Sequence, residues 1–212
     1  MDTLNLTSAV PMPSLQAPRR GLLFVISGPS GVGKGTIVKE LLKLQSELKL
    51  SVSVTTRQPR PGEVEGVNYY YRTAEEFQRM VMAGELLEYA QYVSTYYGTP
   101  RHYVEEQLAA GHDVVLEIDI KGAIQVKERI PNGIFIFVLP PTMEELEARL
   151  LKRQTEAAEA MRRRLQVAVD ELNYLPLYDY QLVNDELDVA VNKVQAIILA
   201  EHCRVMRNLS SL

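Results

Sequence analysis

Gly28-Pro29-Ser30-Gly31-Val32-Gly33-Lys34-Gly35-Thr36 follows the apolar run Leu22-Leu23-Phe24-Val25-Ile26 and precedes apolar residues at helical spacing, Ile37, Leu41, Leu42, Leu44 and Leu48. A short apolar run stopped by Ser27-Gly28 reads as a buried strand, and the spacing after it predicts a helix over 36–48. A G-x-x-x-x-G-K string set between a strand and a helix reads as a phosphate-binding loop. Its glycines let successive backbone N–H groups turn toward one anion, and the helix N-terminus adds partial positive charge. Gly28 to Thr36 are therefore expected on a nucleoside triphosphate, with the Lys34 ammonium on its β- and γ-phosphates. Gly35 stands where many such loops have a Ser or Thr on magnesium, and Thr36 comes one place later. Direct metal contact, contact through water and contact with phosphate alone stay open for Thr36, so no protein ligand to the metal is assigned.

Three more strands are expected downstream. They are Val114 to Asp119, Gly133 to Leu139 (stopped by Pro140-Pro141) and Tyr180 to Asn184, with helices expected near 122–129 and 186–206. Strands alternating with helices imply a parallel sheet covered on both faces. Residues 51–100 break the rhythm. They are rich in Thr, Tyr, Arg and Pro and read as a small, largely β insertion with one helix near 74–83, joined to the core by two short connections and able to swing as a unit. The stretch 144–165 holds five acids and six bases and reads as a solvated helical hairpin outside the core, suited to a mobile lid. Residues 1–20 (with Pro11, Pro13 and Pro18) show no apolar periodicity and are expected to be a flexible arm, with 208–212 a tail.

Composition narrows the classes. The chain has 212 residues, 46% hydrophobic and 24% charged, which suits one domain with a core. No apolar run approaches the roughly 20 residues of a membrane-spanning helix. The net charge of −4 disfavours nucleic-acid binding through bulk charge. One cysteine, Cys203, excludes an internal disulfide, and the three histidines lack metal-ligand spacing. A cytoplasmic protein is expected, with monomer and homo-oligomer both open.

A phosphate loop does not name the second substrate. Ser53-Val54-Thr55-Thr56-Arg57-Gln58-Pro59-Arg60-Pro61-Gly62-Glu63, with Gly66 and Tyr69 following, packs two arginines, several hydroxyls and a tyrosine into one short segment. Two arginines three apart, stiffened by a proline between them, can clamp one phosphate from two sides. An ordinary solvated loop is the alternative for this segment alone. Glu88 lies in the alternating piece Leu87-Glu88-Tyr89-Ala90, and Asp119 ends a buried strand, where ligands gather in open α/β sheets. Asp119 also suits a helix cap, and the two roles can coexist.

Together these stretches resemble guanylate kinase, from about Gly21 to about Arg207. The resemblance rests on the phosphate loop, the Ser53 to Tyr69 string, Glu85-x-x-Glu88-x-Ala90, Tyr96-Tyr97-Gly98-Thr99 and Ile118-Asp119-x-x-Gly122-Ala123. It continues through Pro140-Pro141, Arg149-Leu150-x-x-Arg153, Arg164-Leu165 and Asn184-Asp185-x-Leu187. It implies an α/β phosphate-loop NTPase fold: a core at 21–50 and 101–207, a GMP-binding insertion at 51–100 and a helical lid at about 144–165. The implied reaction moves the γ-phosphoryl of ATP to GMP, giving ADP and GDP, with Mg2+ accompanying ATP as cofactor.

Residue by residue, the resemblance implies that Arg57, Arg60, Tyr69 and Tyr97 hold the GMP phosphate. Glu88 accepts the N1–H and 2-amino hydrogens of guanine, Asp119 adds an acceptor, and Ser53 and Thr99 contact the base. Gly98 lets the chain pass close to the nucleotide. Lys34, Arg149, Arg153 and Arg164 serve the transferred phosphoryl, and Asn184 lies near the ATP base or ribose. A carboxylate suits guanine because it satisfies two donors, whereas adenine would leave it unpaired. The chain departs from the family lid at Arg153-Gln154-Thr155-Glu156, which lacks a glycine, at Ala157 and Ala158, and at Lys121. A protein-binding scaffold of the same family would tend to lose Lys34. A sugar-phosphate kinase would have no use for Glu88 and Ser53.

Overall fold

The computed structural model describes residues 20–92, 94–151 and 158–205. The N-terminal arm, Arg153, Gln154 and the tail 208–212 lie outside the described residues. Five parallel strands form the main sheet in the order β2-β7-β1-β8-β9: β1 (Leu23–Ser27), β2 (Lys49–Leu50), β7 (Val114–Glu117), β8 (Ile134–Leu139) and β9 (Tyr180–Val183). Alternation along a strand sends successive side chains to opposite faces. Phe24 and Ile26 join one core with Ile37, Leu41, Val191 and Val194, while Leu23 and Val25 join the other with Val104, Ala123 and Val126. With both faces covered, the central strands read as unbroken apolar runs.

The first helix, α1 (Lys34–Leu44), starts two residues before the expected position and stops four residues earlier. Gly33 caps it at φ 98°, a left-handed conformation that glycine adopts without steric cost. Leu48 is not helical and instead tucks under the sheet into the core. The helix α4 (Ile120–Arg129) also begins two residues early, because Asp119 caps it. Strand β2 and helix α3 (Arg101–Ala109) were not expected. The first has two residues, and the second buries only Val104 and Leu108, too little for a visible period.

The insertion carries a second sheet, β4-β3-β6-β5, made of β3 (Val54–Thr55), β4 (Tyr70–Tyr71), β5 (Leu86–Tyr92) and β6 (Thr95–Pro100). Helix α2 (Ala74–Met82) covers it, starting in a reciprocal capping box between Thr73 and Glu76. Its small core is Val54, Phe77 and Leu86.

Two expectations about how these parts attach to the core need correction. The insertion does not meet the core through two connections alone. Leu87 of β5 is buried in the same cluster as Leu23, Val25 and Leu116, and β5 is hydrogen-bonded to α4. The charged stretch is helical, as α5 (Met143–Leu151) and α6 (Ala158–Leu172), but it is not outside the core. Leu146 and Leu150 are 0% and 1% exposed and pack with Val32, Ile37 and Val38. Eleven charges among 22 residues masked two leucines four apart, which is one turn of apolar face.

Candidate active site

The phosphate loop runs from the carboxyl end of β1 to α1, so its backbone N–H groups gather at a helix N-terminus. The Lys34 Nζ donates to the loop's own carbonyls, Gly28 O at 2.6 Å and Pro29 O at 3.1 Å. Arg164, on α6, reaches across to the same loop and donates to Ser30 Oγ at 3.2 Å. The sequence-expected pair Lys34 and Arg164 therefore share one anion cradle.

Arg149 and Asn184 meet on the other flank. The Asn184 side chain, 7% exposed, donates to Val32 O at 2.8 Å, and Arg149 Nη1 donates to Asn184 O at 3.0 Å. With Gly31, Gly33, Thr36, Asp185 and Leu187 they line a cavity of about 340 Å³. A side chain at position 33 would collide with the Asn184 amide, 2.4 Å from the missing Cβ. Thr36 faces this cavity, whereas Gly35 faces Glu117, whose Oε1 lies 3.0 Å from where a Cβ at Gly35 would stand. Glu117 ends β7 beside the loop and was given no role from sequence. Its signal was a carboxylate closing the apolar run Val114-Val115-Leu116.

In the insertion, Arg57 forms the centre of a cluster with Glu63, Tyr69 and Tyr97. Its guanidinium pairs with Glu63 Oε1 at 2.9 Å and lies 5.3 Å from the centre of the Tyr69 ring. Tyr69 in turn packs edge-on against Tyr97, centroids 5.9 Å apart. The Arg57 bond and the Arg60 backbone N–H hold the Glu63 carboxyl down at about 2. Tyr71 donates to the same carboxylate at 2.9 Å. The Arg60 side chain itself is exposed. Arg57, Tyr69 and Tyr97 are thus brought together as expected. Glu63 and Tyr71 were missed as organisers, although an acid six residues after an arginine in a tight loop was visible.

Glu88 sits where the insertion meets the core. It is 4% exposed, and Thr99 Oγ1 donates to its Oε1 at 2.6 Å. Burial, helped by the nearby Asp119 charge, pushes its carboxyl up to about 7. The Thr99 hydroxyl, expected on the base, is thus placed beside Glu88 by its hydrogen bond to that carboxylate. Asp119 Oδ1 accepts from Gly122 N at 2.7 Å, so the cap is real and leaves the second carboxylate oxygen for other work. Gly98, expected to let the chain pass close to the nucleotide, is also tightly packed within the insertion. A Cβ there would meet Glu88 O at 2.9 Å and the Leu86 and Phe77 side chains, so this glycine serves the packing of β6 on β5. The Ser53 carbonyl accepts from Tyr70 N at 2.9 Å, which joins the first residue of the arginine string to β4.

Among the described residues no three His, Cys, Asp or Glu side chains converge on one point. No described helix is long and apolar enough to cross a membrane.

The guanylate kinase family model matches residues 20–201. The chain is 56% identical over 187 residues to the guanylate kinase of Desulfitobacterium hafniense, covering 88% of this chain and 94% of that one. It is 55% identical over 190 residues to the guanylate kinase of Caldanaerobacter subterraneus, covering 90% and 92%. The crystal structure of guanylate kinase from Anaplasma phagocytophilum superimposes with a TM-score of 0.74 at 34% identity, over 89% of this chain and 90% of that one.

Proposed function

The chain belongs to the guanylate kinase family, and on that premise we propose how its own residues move the γ-phosphoryl of ATP to GMP, giving ADP and GDP. Phosphoryl transfer needs no protein nucleophile; it needs positioning and neutralisation of charge. The loop Gly28 to Thr36 wraps the ATP phosphates with backbone N–H groups. Lys34 leaves its carbonyl partners for the β- and γ-oxygens, and Arg164, already on Ser30, adds charge at the transferred group. Arg153 belongs with them by its place in the family motif. Asn184 holds the base and ribose side, and Arg149, which shares the Val32 carbonyl with it, serves the transferred phosphoryl from that flank. Thr36, facing that side, serves the phosphates nearer the ribose.

Mg2+ fits the site as an ion carried by the triphosphate, with Glu117 the neighbouring carboxylate beside Gly35. When bound it supplies charge neutralisation at the phosphate oxygens. Arg57, Arg60, Tyr69 and Tyr97 receive the GMP phosphate in place of the internal Glu63 contact. Glu88 and Asp119 read the guanine edge, with Ser53 beside them.

The observation that carries this reading is the buried Glu88 carboxylate, held by Thr99 beside Asp119 at the end of β7. A buried acceptor with two free lone-pair directions selects a base edge that offers two donors. A coupled assay of ADP formation with GMP, dGMP and AMP tests it. GMP is expected to be used in strong preference to AMP. Lys34→Ala should lower kcat about 10²-fold or more while calorimetric GMP binding stays within about twofold. Equal use of AMP, or near-normal turnover in folded Lys34→Ala, overturns the assignment.

A further inference from the structure

Helix α4 turns one stripe of side chains toward the base-reading strand. Asp119, Gly122, Gln125 and Arg129 recur at steps of three, three and four, the spacing that lines a single helix face. The first two frame the Glu88 carboxylate. The other two grip backbone. Gln125 Oε1 accepts from Tyr89 N at 3.3 Å, and its Nε2 donates to Tyr89 O at 2.8 Å. Arg129 Nη1 donates to Leu86 O at 3.0 Å and also to Leu87 O.

β5 is the outer strand of its sheet, so one row of its peptide groups has no neighbouring strand. A glutamine amide carries the same donor and acceptor as a peptide unit, and Gln125 stands where that strand would be. Every residue from Leu86 to Tyr89 is thereby engaged by the core: Leu86 and Leu87 by Arg129, Glu88 by Gly122 and Tyr89 by Gln125. A residue that merely tied two bodies together could sit anywhere along their contact. These two flank the recognition residue on both sides.

We propose that Gln125 and Arg129 are positioning residues for guanine selection, fixing β5 on α4 so that the Glu88 carboxylate meets both donors of the base. The proposal rests on the reading of Glu88 as the guanine acceptor. A carboxylate that drifts by a few tenths of an ångström keeps one donor and loses the fit to two, so selectivity suffers before turnover does.

The test compares GMP with inosine monophosphate, whose base keeps N1–H and O6 but lacks the 2-amino group. In Gln125→Ala, the KM for GMP should rise about tenfold and the GMP preference in kcat/KM should fall at least threefold. The kcat at saturating GMP and the KM for ATP should stay within about twofold. Arg129→Ala should act in the same direction, with Arg129→Lys recovering part of the preference. Glu88→Gln is the control. If it leaves the preference unchanged, the reading of Glu88 fails. If it changes the preference while folded Gln125→Ala does not, the positioning role fails. A Gln125→Ala enzyme that only melts earlier, with GMP and inosine monophosphate affected equally, also overturns the proposal. Should Arg129→Ala not fold, Gln125→Ala alone decides.

Discussion

Gly122 lies against the Glu88 carboxylate so closely that a Cβ at position 122 would stand 2.5 Å from Glu88 Oε2. The contact joins a helix of the core to a strand of the insertion, and it leaves room for nothing larger than hydrogen. Because the Gly122 backbone is held by the Asp119 cap, the carboxylate is the group that must yield. Gly122→Ala should therefore turn Glu88 away from the base and raise the KM for GMP by about 5- to 150-fold, the cost of about 1–3 kcal/mol for an unmatched buried donor. The KM for ATP should not follow. Steady-state kinetics with each substrate varied in turn checks this, and an unchanged GMP constant would remove the base from this corner.

The acidity of Glu88 sets a second expectation. Burial raises its carboxyl to about 7, and the proposed pairing with two guanine donors needs the ionised form. Below about pH 7, kcat/KM for GMP should fall about tenfold per pH unit, and above it the profile should flatten. For stability the sign is opposite to that of a salt-bridged carboxylate. The folded value lies above the ordinary 4.5, so folding favours the proton, and Glu88's contribution declines as pH rises from about 4.5 to about 7. Glu88→Gln should abolish both dependences. A GMP profile that keeps its acid limb in that variant would assign the limb to another group.

Arg57 and Arg60 differ in their surroundings, which separates their variants. Arg57 is held by Glu63 and stacked on Tyr69, whereas Arg60 is exposed. Loss of a charge-assisted bond costs about 1.5–3 kcal/mol, so Arg57→Ala should raise the KM for GMP about 10- to 150-fold. Arg60→Ala should raise the same constant, and the KM for ATP should move far less in both. Glu63→Gln, which frees Arg57 from its anchor, should give a smaller rise than Arg57→Ala. If the ATP constant moved most, the insertion would not hold the acceptor phosphate.

Helix α5 supplies a prediction about folding rather than turnover. Leu146 is 0% exposed, and five residues on, Leu151 is 56% exposed. Leu146→Ala should lower unfolding free energy by about 2–5 kcal/mol. Leu151→Ala should stay within about 0.5 kcal/mol of the parent. Urea titration of both variants measures the difference, and equal stabilities would return α5 to the solvated hairpin that its charge suggests.

The sequence alone determined the phosphate loop, the parallel sheet and the arginine string, because each is local. An apolar run, a glycine spacing or two arginines around a proline is complete within a few residues, and its chemistry does not depend on distant parts of the chain. Boundaries were less legible. Asp119 and Gly33 start helices earlier than the apolar period does, since a cap acts before the first buried side chain. Leu146 and Leu150 belong to the core although their neighbours are charged, because burial depends on which face meets the sheet and not on average composition. The proposed base site depends on tertiary structure. Glu88, Thr99, Gly122 and Gln125 come from one strand, its neighbour and a helix up to 37 positions away in the chain. Their meeting is set by how β5 lies on α4, an arrangement of backbone groups that residue identities do not spell out. The same packing turns Thr99 toward Glu88 and sets Gly98 closely against β5, for a side chain's partner is fixed only when the chain has closed around it.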